Sequence, residues 1–117
     1  MSNRIESVEL VQRRVSPLEA ELWVVVTAAH VNAGTELRGR LTGPVCPGVQ
    51  TVQVAYPLRP IPRPPGHPEN ALVGRVVVPE PNLWSPETPF TYQVFVELWQ
   101  DGAKCGQSQL GTGFRSR

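Results

Sequence analysis

The sequence lacks any apolar run approaching the roughly 18 residues that a membrane-spanning helix needs, so a membrane partner is not expected. It also lacks charge of one sign. Eleven basic against ten acidic residues leave a net charge of +1, and no field gathers nucleic acid or an anionic bilayer. Histidine is scarce: His30 and His67 are isolated, and no ligand pair has zinc spacing, so no metal site is expected. Nothing suggests a cofactor either, because no Gly-rich phosphate cradle, nucleophile motif or basic-aromatic face is present. The N-terminus, Met1 to Ser7, has no apolar signal core. The compartment is left open.

Cysteine is nearly absent as well. Cys46 lies in a Gly/Pro loop and Cys105 just beyond a hairpin turn, so the two are read as unlinked thiols. An immunoglobulin disulfide would join the second and sixth strands, which offer Val24 and Val94 or Val96 instead. Most telling is the lack of helical period. No ten-residue stretch repeats its apolar residues every 3.6 positions.

What the chain has is alternation, proline and glycine. Thirteen prolines and ten glycines sit between β-type runs and not in one tract, which marks turns and not disorder. Seven segments read as strands: Ile5 to Val11, Ala20 to Val31, Thr35 to Thr42, Gln50 to Tyr56, Ala71 to Val78, Phe90 to Trp99 and Lys104 to Phe114. The segment Pro57 to Pro68 cannot join a central strand, since proline lacks the ladder donor, and it reads as an extended loop. Its Arg59-x-x-Pro62-x-x-Pro65 spacing also fits an SH3-type ligand, a pattern common by chance. Seven strands at short spacing in 117 residues predict one domain, residues 1–117, folded as an all-β, immunoglobulin-like antiparallel sandwich. Tyr92, Val94, Val96, Val24, Val26, Leu37 and Val76 are its predicted core.

Between the fifth and sixth strands, Pro79, Pro81, Pro86 and Pro89 stiffen a crossing from sheet to sheet. Trp84 is expected to plug the end of the core, its indole N–H reaching a carbonyl. Tyr92, opening the sixth strand, is placed to act as a tyrosine corner. The alternative use of Trp84 is as a platform for sugar stacking.

The run Pro81-x-Leu83-Trp84-Ser85-Pro86-Glu87-x-Pro89-x-x-Tyr92, with a terminal Gly113-Phe114-Arg115, resembles the immunoglobulin-like domain of family 2 glycoside hydrolases. That family includes β-galactosidases, β-glucuronidases and β-mannosidases. The resemblance implies a non-catalytic module that braces an N-terminal sugar-binding sandwich against a C-terminal catalytic barrel. The family's catalytic Glu pair belongs to that barrel. Pro81, Trp84, Pro86, Pro89, Tyr92, Phe114 and Arg115 would then be structural.

Reading the carboxylates directly agrees. A glycosidase needs two facing one another across a bond, and none here, Glu19 and Glu21 near the start of the second strand included, is expected to be flanked by the aromatic and basic residues that would tune a general acid. Glu69, Glu80, Glu87 and Asp101 fall in loops, while Glu6, Glu9, Glu36 and Glu97 take outward strand positions. The catalytic set is expected to be empty for this chain alone. Trp23, Phe95 and Trp99 also point outward, where water would prefer polar groups. Two covers are open: an interface with a neighbouring domain or a second copy, or the loop Pro57 to Pro68. A free-standing module that binds carbohydrate or protein is the alternative function.

Overall fold

The computed structural model describes residues 3–115. Its strands are β1 (Ile5–Val15), β2 (Glu19–Ala28), β3 (Thr35–Val45), β4 (Val54–Pro57), β5 (Arg59–Ile61), β6 (Ala71–Pro79), β7 (Thr91–Gln100) and β8 (Ala103–Thr112). They form two four-stranded antiparallel sheets, ordered β1-β2-β6-β5 and β4-β3-β7-β8. In immunoglobulin terms these are A-B-E-D against C′-C-F-G.

The alternation read from the sequence sets the core. Leu22, Val24 and Val26 of β2, Leu37 and Leu41 of β3, Val76 and Val78 of β6, and Tyr92, Val94 and Val96 of β7 are buried in one cluster. All seven predicted core residues are at most 3 % exposed. Strand pleating then throws the intervening residues onto the outer faces.

Two expectations are corrected. The strand expected over Gln50 to Tyr56 is only Val54–Pro57, and Val52 is 85 % exposed. Its ladder with β3 runs from Arg40↔Pro57 to Gly43↔Val54 and stops where Pro44 has no N–H to offer. Second, the proline segment is not all loop. Arg59–Ile61 pairs with Arg75, Gly74 and Val73 of β6, making an eighth strand where seven were expected. Pro60 is tolerated there because β5 lies at a sheet edge.

Between β4 and β5 the chain changes sheets, and Leu58 is the pivot. Its N–H donates to the Gly39 carbonyl at 3.0 Å, and its side chain is buried between the sheets. A Cβ on Gly74 would lie 2.6 Å from Leu58 Cγ, and one on Gly39 would lie 3.0 Å from Leu58 Cδ2. The two glycines leave the slot that the leucine fills. Alternation cannot find Leu58, because it belongs to no strand.

Candidate functional site

The crossing from β6 to β7 closes one end of the sandwich. Pro81 is buried there, and Tyr92 Oη accepts the Asn82 backbone N–H at 2.9 Å. This is the expected tyrosine corner, ten residues upstream. Burial pushes the Tyr92 phenol above its ordinary pKa. The Tyr92 ring packs on Phe114, centroids 5.1 Å apart and planes tilted by 54°.

Phe114, not Trp84, plugs the core. Phe114 is fully buried, whereas Trp84 is half-buried. The Trp84 backbone N–H donates to the Phe114 carbonyl at 2.7 Å, which ties the crossing to the C-terminal segment. That bond draws the indole against Gly113, where a Cβ would stand 2.7 Å from Trp84 Cδ1. The Arg115 guanidinium lies over the ring at 3.9 Å from its centroid. So the ring is clasped by Gly113 and Arg115. Pro86 projects at the exposed tip, where Ser85 and Thr88 bond one another, while Pro89 bridges back to Trp84.

The outward aromatics are covered by arginines. Trp99 lies under Arg38 at 4.0 Å, Phe95 under Arg40 at 4.5 Å, and Trp23 under Arg13 at 4.4 Å. A guanidinium over an aromatic face gains from the ring quadrupole while it shields apolar surface. The proline segment does not cover Phe95 or Trp99, because β5 joins the other sheet. On its own sheet Ile61 and Trp23 both pack against the small cluster of Val25, Ala71 and Val73.

A short repeat in the sequence carries two of these units. Glu21-Leu22-Trp23 on β2 and Glu97-Leu98-Trp99 on β7 have the same three residues. In both the leucine is fully buried, and the indole N–H donates back to the glutamate, at 3.4 and 3.1 Å. Arg75 pairs with Glu21 on one face, and on the other Glu97 faces Arg38 across the register and Lys104 at 3.6 Å. Both carboxyls lie below the ordinary carboxylate range, Glu21 chiefly through Arg75 and Glu97 chiefly through the Trp99 indole. A general acid of a glycosidase needs the opposite shift. Glu69, Glu80, Glu87 and Asp101 are exposed on loops and turns.

At the opposite end a polar network replaces the aromatics. Asn3 is buried, with Nδ2 donating to the His30 carbonyl at 2.8 Å and to Gln100 Oε1 at 3.1 Å. Its Oδ1 accepts the Arg4 and His30 backbone N–H groups at 3.0 and 3.2 Å. Gln100 Oε1 also accepts from Thr35, and its Nε2 donates to Asn32. Asn3 was not legible in the sequence, since a lone Asn near a chain start carries no pattern. Cys46 is buried and Cys105 half-buried, both as free thiols.

Order A-B-E-D against C′-C-F-G, with a tyrosine corner at the start of β7, defines an immunoglobulin-like sandwich. The sequence profile of glycosyl hydrolases family 2 matches residues 3–115, and the chain belongs to that family. Solved structures share the fold. A Bifidobacterium dentium β-glucuronidase, complexed with coumarin-3-O-glucuronide, aligns with a TM-score of 0.66 at 16 % identity, over 98 % of this chain and 18 % of that one. A family 2 member from Bacteroides cellulosilyticus aligns with a TM-score of 0.60 at 19 % identity, over 96 % of this chain and 15 % of that one. For a putative β-galactosidase from Bacteroides fragilis the values are 0.58, 20 %, 95 % and 17 %. The chain thus spans less than a fifth of the length of these three structures. No curated protein matches it in sequence.

Proposed function

We propose that this chain is one non-catalytic domain of a larger family 2 glycoside hydrolase, and that it spaces and braces the parts on either side of it. The parent would hydrolyse O-glycosyl bonds. The observation that carries this reading is the placing of the first and last described residues. Asn3 bonds to Gln100, at the end of β7, whereas Thr112 pairs with Tyr92, near the start of β7. The chain therefore comes in at one end of a sandwich 47 Å long and leaves at the other. Each end is fastened, by the Asn3 network and by the Trp84–Phe114–Arg115 clasp. Such a body transmits orientation between its two neighbours.

The carboxylates favour the same reading. Those with perturbed ionisation are held charged by arginine and indole, and the loop carboxylates stand exposed. A free-standing sugar platform is disfavoured, because Arg38 and Arg40 occupy the faces of Trp99 and Phe95 that a sugar ring would use. The purified chain is expected to give no turnover of nitrophenyl galactoside, glucuronide or mannoside. Turnover that disappears on changing a single glutamate would overturn the reading.

A further inference from the structure

The end of β1 and the segment after β8 meet along one edge of the sandwich. Gln12 Nε2 donates to the Gly113 carbonyl at 2.8 Å and to Thr112 Oγ1 at 3.3 Å. Beside this seam lies an open pocket of about 300 Å3, lined by Gln12, Arg13, Arg14, Val15 and Arg115. Three of these residues are arginines and, among the described residues, none is acidic.

The local backbone explains how Arg13 is placed. Register slips between Gln12↔Leu22 and Arg14↔Glu21, so Arg13 is the extra residue of a bulge. A bulge bends its strand and re-aims a side chain. Arg13 is thereby set over Trp23, while Arg115 is set over Trp84 from the other side of the seam. Held over a ring, a guanidinium still presents N–H donors in its own plane, in a fork that matches an oxyanion.

Among the described residues none of the three makes an ion pair, although Arg14 lies close enough to Glu21 to help hold that carboxylate charged. The ion pairs there use Arg4, Arg38, Arg75 and Lys104. Glu21, which faces Arg14 in register, gives its carboxylate to Arg75. Three like charges around one pocket repel, and an anion placed among them relieves that repulsion. Two of the three are already ordered by their aromatic partners, which lowers the entropy lost on binding.

We propose that this pocket is an oxyanion site that takes a carboxylate group. The carboxylate comes either from an Asp or Glu side chain of an adjoining domain or from a free small acid. The site itself does not depend on the bracing role, so it stands or falls separately.

The arginine Nε–H resonances of the full 117-residue chain, recorded by NMR during titration with sodium acetate against chloride at constant ionic strength, test the site. The Arg13 and Arg115 signals are expected to shift to saturation, while those of the ion-paired Arg4 and Arg38 stay put. Arg13→Gln and Arg115→Gln should each weaken binding about tenfold, the loss of one charged hydrogen-bonding partner. Arg14→Gln, which disturbs no aromatic contact, should weaken it in the same direction and decides the matter if either other variant fails to fold. Linear, unsaturated drift, or an affinity unchanged in the folded variants, overturns the site. A capped peptide with one glutamate distinguishes the sources. Tighter binding than acetate identifies a protein side chain, and binding no tighter identifies a free small acid.

Discussion

The two ends of this sandwich are closed by opposite chemistries. At one end Asn3 satisfies four polar partners and holds the start of β1 against the connection from β2 to β3 and against β7. At the other, Tyr92, Phe114 and Trp84 close the crossing with rings and a single phenol bond. The polar end depends on direction, because every bond must be made or a buried group is left unpaired. The aromatic end depends on volume, because a ring removed leaves a cavity. One fold thus closes its two ends by unlike means, directional bonds at one and ring volume at the other.

The largest effect should come from the aromatic end. Phe114→Ala is expected to cost about 3–5 kcal/mol, from lost burial plus the cavity under Tyr92. Urea denaturation measures this, and an unchanged midpoint would show that the ring does not plug the core. Leu58→Ala provides a reference between the ends, with about 2–5 kcal/mol expected since Gly39 and Gly74 cannot close the slot. Val94→Ala or Val96→Ala should cost on the order of 1–3 kcal/mol by the same mechanism.

At the polar end Asn3→Ala should cost about 1–3 kcal/mol, because it strands the His30 N–H and carbonyl. Asn3→Asp separates direction from size: it keeps the acceptor but loses both donated bonds, and it should also destabilise. Tyr92→Phe should cost less, about 0.5–1.5 kcal/mol, since the ring remains and only the Asn82 bond is lost.

The smallest effect concerns pH. Glu97 titrates below its ordinary value in the folded chain, so the unfolded chain binds its proton first as pH falls. Its stabilisation is present above the unfolded pKa, about 4.3, and is lost as pH drops through the folded value. Thermal midpoints of the wild type should therefore fall more steeply than those of Glu97→Gln below that pH. Parallel curves would show that the indole bond does not favour the charged carboxylate.

Most of the fold was legible because period-two alternation encodes which face of a strand is inside. That is why Val24, Val76 and Val94 could be placed from the sequence. The tyrosine corner was legible too, since a Tyr opening a strand after a proline-rich crossing has few other roles. Leu58 and β5 were not, because pairing at a sheet edge depends on what lies beside it in space, and proline argues locally against a strand. The roles of Trp84 and Phe114 were exchanged for a related reason. Sequence ranks rings by size, whereas the Trp84 N–H bond to the Phe114 carbonyl places one ring inside and the other at the rim. The arginine cover was missed because Arg13, Arg38 and Arg40 sit on strands next to the rings they cover. The Glu-Leu-Trp repeat was visible in the sequence and could have pointed to two of those rings.

A rigid sandwich would hold its incoming and outgoing segments at a fixed separation, one at each end. Spin labels at Arg4→Cys and Gly111→Cys, which leave the Asn3 network and the Trp84–Phe114–Arg115 clasp intact, with Cys46 and Cys105 replaced by alanine, measure this by pulsed electron resonance. One narrow distance distribution, spanning a large part of the 47 Å long axis, is expected. A broad distribution, or one centred near the 19 Å short dimension, would contradict it.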